Sequence, residues 1–259
     1  MKGGLRAKLD EGQICYGMGI RISKSVEIVR LARDCGYDWL FFDHEHGPHS
    51  WDAISQLCLA SIEADISPFV RIKSHLPEEI NKALSIGAVG IIVPQIENKE
   101  VVKKLSDCCR FFPEGTRTSP GKYLQLGYNP IKFSKASKVL NHETLFFAQI
   151  ESEIGVENVE LILENPNVDG IMIGVNDLTF SMGIPQEYGH RKLEKALDSM
   201  LKYAQKYNKS FGVGGLSNPK LLKSLVNNGA NLILVGLDTG FIFDGALNNL
   251  KNLKNYSTS

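Results

Sequence analysis

The chain has 259 residues, 43% of them apolar and 22% charged, with 29 Lys plus Arg balanced by 29 Asp plus Glu. That is an ordinary soluble composition, and the missing basic excess or stripe excludes a nucleic-acid or membrane-surface role. No apolar run reaches membrane-spanning length, and residues 1–10 carry charges where a signal peptide would carry an apolar core.

In chain order, Leu5–Asp10 predicts a short amphipathic helix ended by Gly12, and Cys15–Ile20 a first strand. Ser25 opens the next helix, with Val26, Val29 and Ala32 at helical spacing and Gly36 as its stop. Asp38–Asp43 (D-W-L-F-F-D) reads as a buried strand that runs into a polar cluster, His44, Glu45, His46, Gly47 and Pro48. A helix follows over Ser50–Ala64, then a third strand, Ser67–Ile72, with Arg71 near its end. Pro77 opens a helix over Pro77–Ile86, stopped by Gly87, and Gly90–Pro94 is the fourth strand. Val101, Val102 and Leu105 mark a helix ending near Cys109.

Phe111 to Glu143 lacks a clear period, and so long a stretch in a compact domain is functional or carries small helices of its own. Leu145–Glu151 is the fifth strand, with a helix around Val156–Leu163. Val168–Val175 is the sixth strand, and a long helix follows, lined by Leu193, Leu197, Met200, Leu201 and Ala204. Phe211–Gly214, a helix over Pro219–Asn228, a strand over Leu232–Leu237 and an amphipathic helix over Phe241–Leu253 close the chain.

Short apolar strands alternating with helices predict a parallel sheet. Eight such units across residues 1–259 predict one domain, a closed (β/α)8 TIM barrel. The open doubly wound alternative calls for a Gly-rich fingerprint after the first strand, and Gly17–Ile20 (G-M-G-I) lacks its third glycine. The cysteines (Cys15, Cys35, Cys58, Cys108, Cys109) are odd in number and form no C-x-x-C, so they read as reduced residues of a cytoplasmic protein.

A TIM barrel collects its chemistry at the C-terminal ends of its strands. The polar groups there are Asp43, Glu45 and His46 after strand two, Arg71 at strand three, Gln149 and Glu151 at strand five, and Asp177 after strand six. Glu151 and Asp177, two acids without a compensating Lys nearby, suggest a hard divalent cation such as Mg²⁺ or Mn²⁺. Each could equally cap the helix behind it. His46 with Asp43 would make an acid–base dyad, with His44 and His49 as rivals. Arg71 points either into the mouth, where it would neutralise an oxyanion, or outward. Gln149 shares a strand face with Glu151 and can donate to a substrate oxygen, and the turn Gly174–Asn176 can offer backbone N–H groups to a carboxylate. Gly212, Gly214 and Gly215 suit a phosphate cradle or, more simply, tight packing.

Several motifs recur in order: D-x-E-H at Asp43–His46, V-R at Val70–Arg71, G-A-x-G-I-I-V-P at Gly87–Pro94, P-x-G-x-R at Pro113–Arg117, Q-I-E at Gln149–Glu151, and D-G-x-x-I-G-x-x-D-L-x-x-S-x-G at Asp169–Gly183. Together they resemble the HpcH/HpaI family of class II pyruvate aldolases over nearly the whole chain. The resemblance implies a metal-dependent barrel of the phosphoenolpyruvate/pyruvate type that cleaves a 2-keto-4-hydroxy acid to pyruvate and an aldehyde through a stabilised enolate. It implies that Glu151 and Asp177 hold Mg²⁺ or Mn²⁺, with Co²⁺ a further candidate, and that Arg71 steadies the enolate. His46 and Asp43 would carry acid–base chemistry, Asp43 in its own or a neighbouring subunit's site, while Gln149, Gly174 and Asn176 would seat pyruvate. A homo-hexamer, a trimer of dimers with the last helix exchanged between subunits, is implied as well. Val175, Thr118 and His44 depart from the family pattern, which bears on the aldehyde pocket and on Arg117 more than on the metal. A citrate-lyase β-like enzyme, an oxaloacetate decarboxylase and a non-catalytic keto-acid-binding barrel are the competing readings.

Overall fold

The computed structural model describes residues 4–256. Its strands are β1 (Cys15–Ile20), β2 (Trp39–Asp43), β3 (Ser67–Arg71), β4 (Gly90–Val93), β5 (Leu145–Ile150), β6 (Gly170–Gly174), β7 (Ser210–Gly214) and β8 (Leu232–Leu237). All pair in parallel, in sequence order, and β8 closes onto β1. The helices are α1 (Leu5–Asp10), α2 (Glu27–Asp34), α3 (Trp51–Glu63), α4 (Pro77–Ser85), α5 (Lys99–Asp107), α6 (Phe133–Glu143), α7 (Glu153–Glu157), α8 (Val159–Leu163), α9 (Val175–Ser181), α10 (Arg191–Lys206), α11 (Pro219–Asn227) and α12 (Asp238–Tyr256). The expected (β/α)8 barrel is therefore what forms, and no described helix is long and apolar enough to cross a membrane.

Big-to-small register pairs fill the barrel. Trp39 lies opposite Gly17, Phe69 opposite Gly90, and Phe147 opposite Gly170. A Cβ on any of those glycines would come within 2.2, 2.2 and 2.5 Å of the facing ring. The missing side chains make room for three aromatic rings, with centroids 5.1 and 5.9 Å apart, in the lower half of the barrel. Gly212 does the same for Met172, whose Sδ would lie 2.7 Å from its Cβ, so close packing accounts for that glycine. Below the rings, α1 plugs the barrel floor with Leu5 and Leu9. Arg6 and Arg110 clamp Asp169 at 2.7 Å each.

Two segments sharpen the sequence expectations. The stretch after Phe111 carries a 3-10 turn at Leu124–Leu126 and α6, which share a small core of Phe111, Tyr123, Ala136 and Leu140. The sixth strand stops at Gly174, and Val175 begins α9 rather than ending the strand. Asp177 thus stands in the first turn of a helix.

Candidate active site

Side chains alternate along a strand, so every second residue points into the barrel. The inward series of β2 (Trp39, Phe41) ends in Asp43, that of β3 (Phe69) in Arg71, and that of β5 (Leu145, Phe147, Gln149) in Glu151 just past the strand. These ends meet at a cavity of about 530 Å³ in the C-terminal mouth, lined by Asp43, His46, Arg71, Gln149, Gly174, Asn176 and Asp177 among others.

Asp43 and Arg71 are register partners, and the inward orientation of Arg71 follows from that pairing. The Asp43 carboxylate accepts Arg71 Nε at 3.1 Å and a terminal guanidinium nitrogen at 2.8 Å. The other terminal nitrogen lies 3.2 Å from Glu45, and the guanidinium carbon sits 5.2 Å from the centre of the Phe41 ring. Asp43 also accepts the backbone N–H groups of Glu45 and His46 at 3.1 and 3.0 Å. The Asp43–His46 ring contact expected from the sequence is therefore corrected: the register gives the carboxylate to Arg71, and Asp43 holds only the backbone of His46. The ring of His46 is more than half exposed, with Nε2 3.8 Å from Glu45. Its rivals turn away. His44 packs on Trp51 at 4.1 Å, with burial pushing its pKa down, and His49 Nε2 donates to the Ser23 carbonyl oxygen at 2.9 Å.

Glu151 is buried, and its two oxygens meet only neutral donors, the Gln95 backbone N–H at 2.8 Å and the Gln149 side-chain amide. Gly174 lies beside it, where a Cβ would fall 2.5 Å from the Glu151 carboxylate and 3.0 Å from the Gln149 amide. Burial pushes the Glu151 carboxyl above its usual range; the two hydrogen bonds work against this, and the nearby Glu45 and Asp177 charges add to it. Burial raises Glu45 too, countered by Arg71 and His46 and assisted by Asp43 and Asp177. The Asp177 side chain makes no hydrogen bond or ion pair with any described residue, and α9 is not capped by a side chain. The structure thus crowds carboxylates at one spot without a cationic side chain on Glu151 or Asp177.

Such a donor set fits a hard divalent cation, with water and substrate oxygens filling the other positions. Among the described residues no group of three or more His, Cys, Asp or Glu is poised around one point. No lysine lines the cavity, and Lys73 is engaged with Glu79 at 3.7 Å.

Asn176 accepts the Tyr188 hydroxyl at 2.5 Å, and its amide nitrogen would sit 3.2 Å from a Cβ on Gly215. Arg117 stands apart from the mouth. It is buried at the base of β5, donates to Thr144 at 3.2 Å, and stacks on Phe111 at 4.6 Å, with burial lowering its pKa to about 10. Thr118 bonds Asn81 nearby. Val175 is fully buried beneath the site. Arg21, which lines the cavity, and Tyr188, which bonds the cavity-lining Asn176, are residues that the sequence motifs do not pick out. Arg21 was discoverable, because it continues the inward series Cys15, Gly17, Gly19 one step past β1.

Residues 22–244 match the family described as HpcH/HpaI aldolase/citrate lyase. The chain is similar to a 4-hydroxy-4-methyl-2-oxoglutarate aldolase of Hapsidospora irregularis, 28% identical over 94% of this chain and 92% of the relative. It is similar to a 2-keto-3-deoxy-L-rhamnonate aldolase of Salmonella gallinarum, 27% identical over 97% of this chain and 94% of the relative. The crystal structure of an HpcH/HpaI aldolase from Desulfitobacterium hafniense shares the fold, with a TM-score of 0.92 at 24% identity, covering 97% of this chain and 96% of that one.

Proposed function

The chain belongs to the HpcH/HpaI aldolase/citrate lyase family, and on that premise we propose that it is a carbon–carbon lyase that reversibly splits a 2-keto-4-hydroxy acid into pyruvate and an aldehyde. The observation that carries this reading is the convergence, at one barrel mouth, of Asp177 and of Glu151, buried against the cavity-lining Gln149 and Gly174, with an arginine already held in place by Asp43.

Glu151 and Asp177 would hold the divalent cation, Mg²⁺ or Mn²⁺ by donor type. When bound, it supplies Lewis-acid polarisation of the substrate's keto and carboxylate oxygens. Arg71, fixed on two sides by Asp43 and Glu45, meets the negative charge that develops on the pyruvate half as the C3–C4 bond breaks. Because the guanidinium is held before substrate arrives, little ordering is left for the reaction itself. His46 takes the proton from the C4 hydroxyl; the electron pair of that O–H forms the aldehyde C=O, and the C3–C4 pair becomes the enolate double bond. Protonation at C3 then completes pyruvate. Gln149 donates one amide hydrogen to Glu151 and has a second for a substrate oxygen. Gly174 and Asn176 frame the turn that seats the carboxylate, where the first backbone N–H groups of α9 have no partner within the helix.

The same reading extends to assembly. From Ile242 to Asn255 every residue of α12 is exposed, including Ile242, Phe243, Leu247 and Leu250. The outer face of the barrel at Tyr16 and Val235 is correspondingly bare, at 45% and 48% exposure. A second copy of this chain, exchanging α12, would cover both apolar faces at once.

Release of pyruvate from a 2-keto-4-hydroxy acid, followed with and without EDTA, tests the reaction and its metal together. Turnover should vanish with EDTA, return with Mn²⁺ or Mg²⁺, and fail to return in Glu151→Gln. EDTA-resistant turnover removes the metal from the account, and an inactive wild type with metal restored removes the aldolase.

A further inference from the structure

We propose that Arg21 selects an aldehyde half that ends in a carboxylate, so that the substrate is a dianion with an acid at each end; this rests on the aldolase reading of the site. Four observations converge on it. First, Arg21 lines the mouth cavity, and its side chain makes no hydrogen bond or ion pair with any described residue. Second, it is the one uncommitted cation there: Arg71, the other arginine of the cavity wall, is already bound by Asp43 and Glu45.

Third, its place in the ring fits the length of such a substrate. In an eight-stranded barrel β1 lies diametrically across from β5. The keto-acid end belongs at β5 and β6, beside Glu151 and Asp177. Arg71 on β3 stands between the two poles. A chain running from the acid pair past Arg71 and on across the mouth ends at β1, where Arg21 waits. Under it, Gly19 contributes no side chain, and Leu237 occupies the space where its Cβ would be, at 2.3 Å. Leu216, Leu234 and Leu237 line that side of the mouth, and Arg21 is the arginine there that can meet an anionic tail.

Fourth, the backbone of Arg21 is anchored. Its N–H donates to Asp238 at 3.0 Å, and the N–H groups of Ile22 and Ser23 donate to the same carboxylate. Asp238 is 1% exposed and spends its charge on backbone donors, so it fixes where Arg21 begins without competing for the guanidinium. A planar guanidinium on a fixed base is the group that reads a carboxylate with two parallel hydrogen bonds, which a lysine ammonium does not reproduce.

The test uses pyruvate and Mn²⁺ with matched acceptors: succinic semialdehyde against butanal, and glyoxylate against propanal. The wild type should favour at least one acid acceptor over its neutral partner in kcat/KM. In Arg21→Ala that ratio should fall roughly tenfold to a hundredfold, through KM rather than kcat. Arg21→Lys should recover only part of it. An equal loss for acid and neutral acceptors would make Arg21 a structural residue, and a wild type indifferent to the tail charge would overturn the proposal outright. Exchange of the pyruvate methyl protons with solvent, read in parallel without any aldehyde, separates the two levels. Exchange without acid preference sinks Arg21 alone, whereas no exchange in the wild type sinks the aldolase reading beneath it.

Discussion

Asp43 and Arg71 face each other across the β2–β3 pairing, and one carboxylate binds two nitrogens of the guanidinium, at 3.1 and 2.8 Å. Strand register sets that contact, so the arginine reaches into the mouth at a fixed height and angle whatever the loops do.

Asp43→Asn keeps the shape of the side chain and removes its charge. Arg71 would retain Glu45 but lose its two-point grip, and the amide would present an N–H to a guanidinium that can only donate. Loss of a charge-assisted bond costs about 1–3 kcal/mol. The expected result is a drop of at least about tenfold in pyruvate proton exchange, through kcat, with a melting temperature lower by several degrees. Unchanged exchange in a folded variant would separate Arg71's orientation from catalysis.

Gly174→Ala addresses the acid pair without touching an ionisable group. The new methyl would lie 2.5 Å from the Glu151 carboxylate, closer than real Cβ contacts come. Glu151 has to shift, because the backbone of β6 is held by β5 and β7 on either side. The variant should fold, as judged by circular dichroism, yet need far more Mn²⁺ to reach half of its maximal activity. Wild-type metal affinity in this variant would show that Glu151 is not a ligand.

Asp238 gives a pH dependence with a definite sign. Burial alone would raise its pKa, but the backbone N–H groups of Ser23, Arg21 and Ile22 outweigh that and hold it below its ordinary value of 3.8. An acid whose folded pKa is depressed stabilises the fold above its unfolded pKa, and that stability disappears as the pH falls through the folded value. Asp238→Asn should therefore cost about 1–3 kcal/mol at neutral pH. The gap from wild type should narrow below about pH 4, in denaturant titrations run at both ends of the range. A gap that persists at low pH would point to shape rather than charge.

The exposed face of α12 predicts association. Phe243→Glu with Leu250→Glu should lower the mass in light scattering from that of an oligomer to that of one chain. The barrel beneath should keep its fold, since α12 meets it chiefly at β1 and β8. A wild type that is already monomeric would remove helix exchange from the account.

The order of elements was legible because local chemistry repeats it. Short apolar strands stopped by glycine alternate with capped helices, and each signal needs only a few neighbouring residues. Ser50 and Asn98 cap α3 and α5 by accepting the N–H three residues on, and Pro77 and Pro219 open α4 and α11. The polar residues at strand ends were equally legible, since a parallel barrel sends all its C-terminal ends to one side. That rule alone puts Asp43, His46, Arg71, Gln149, Gly174, Asn176, Glu151 and Asp177 at one end of the barrel.

Which of them touch could not be read from the sequence. Asp43 and His46 are three residues apart and Asp43 and Arg71 are 28 apart, so a local reading favours the histidine. Only the β2–β3 register gives Asp43 to the arginine, leaving the His46 ring beside Glu45. Arg71 was open to either face because apolar neighbours suit both the barrel and the helix layer; the register and the Phe41 ring decide it. Arg117 carries a motif yet sits at the barrel floor, because its segment folds back onto the base of β5. Arg21 gains meaning only once β1 is known to stand across from β5. The sequence by itself determined the barrel, the family and the rim residues, since periodicity and spacing are local. Tertiary structure alone decided the pairings and orientations, since strand register and ring closure bring together residues that no spacing rule relates.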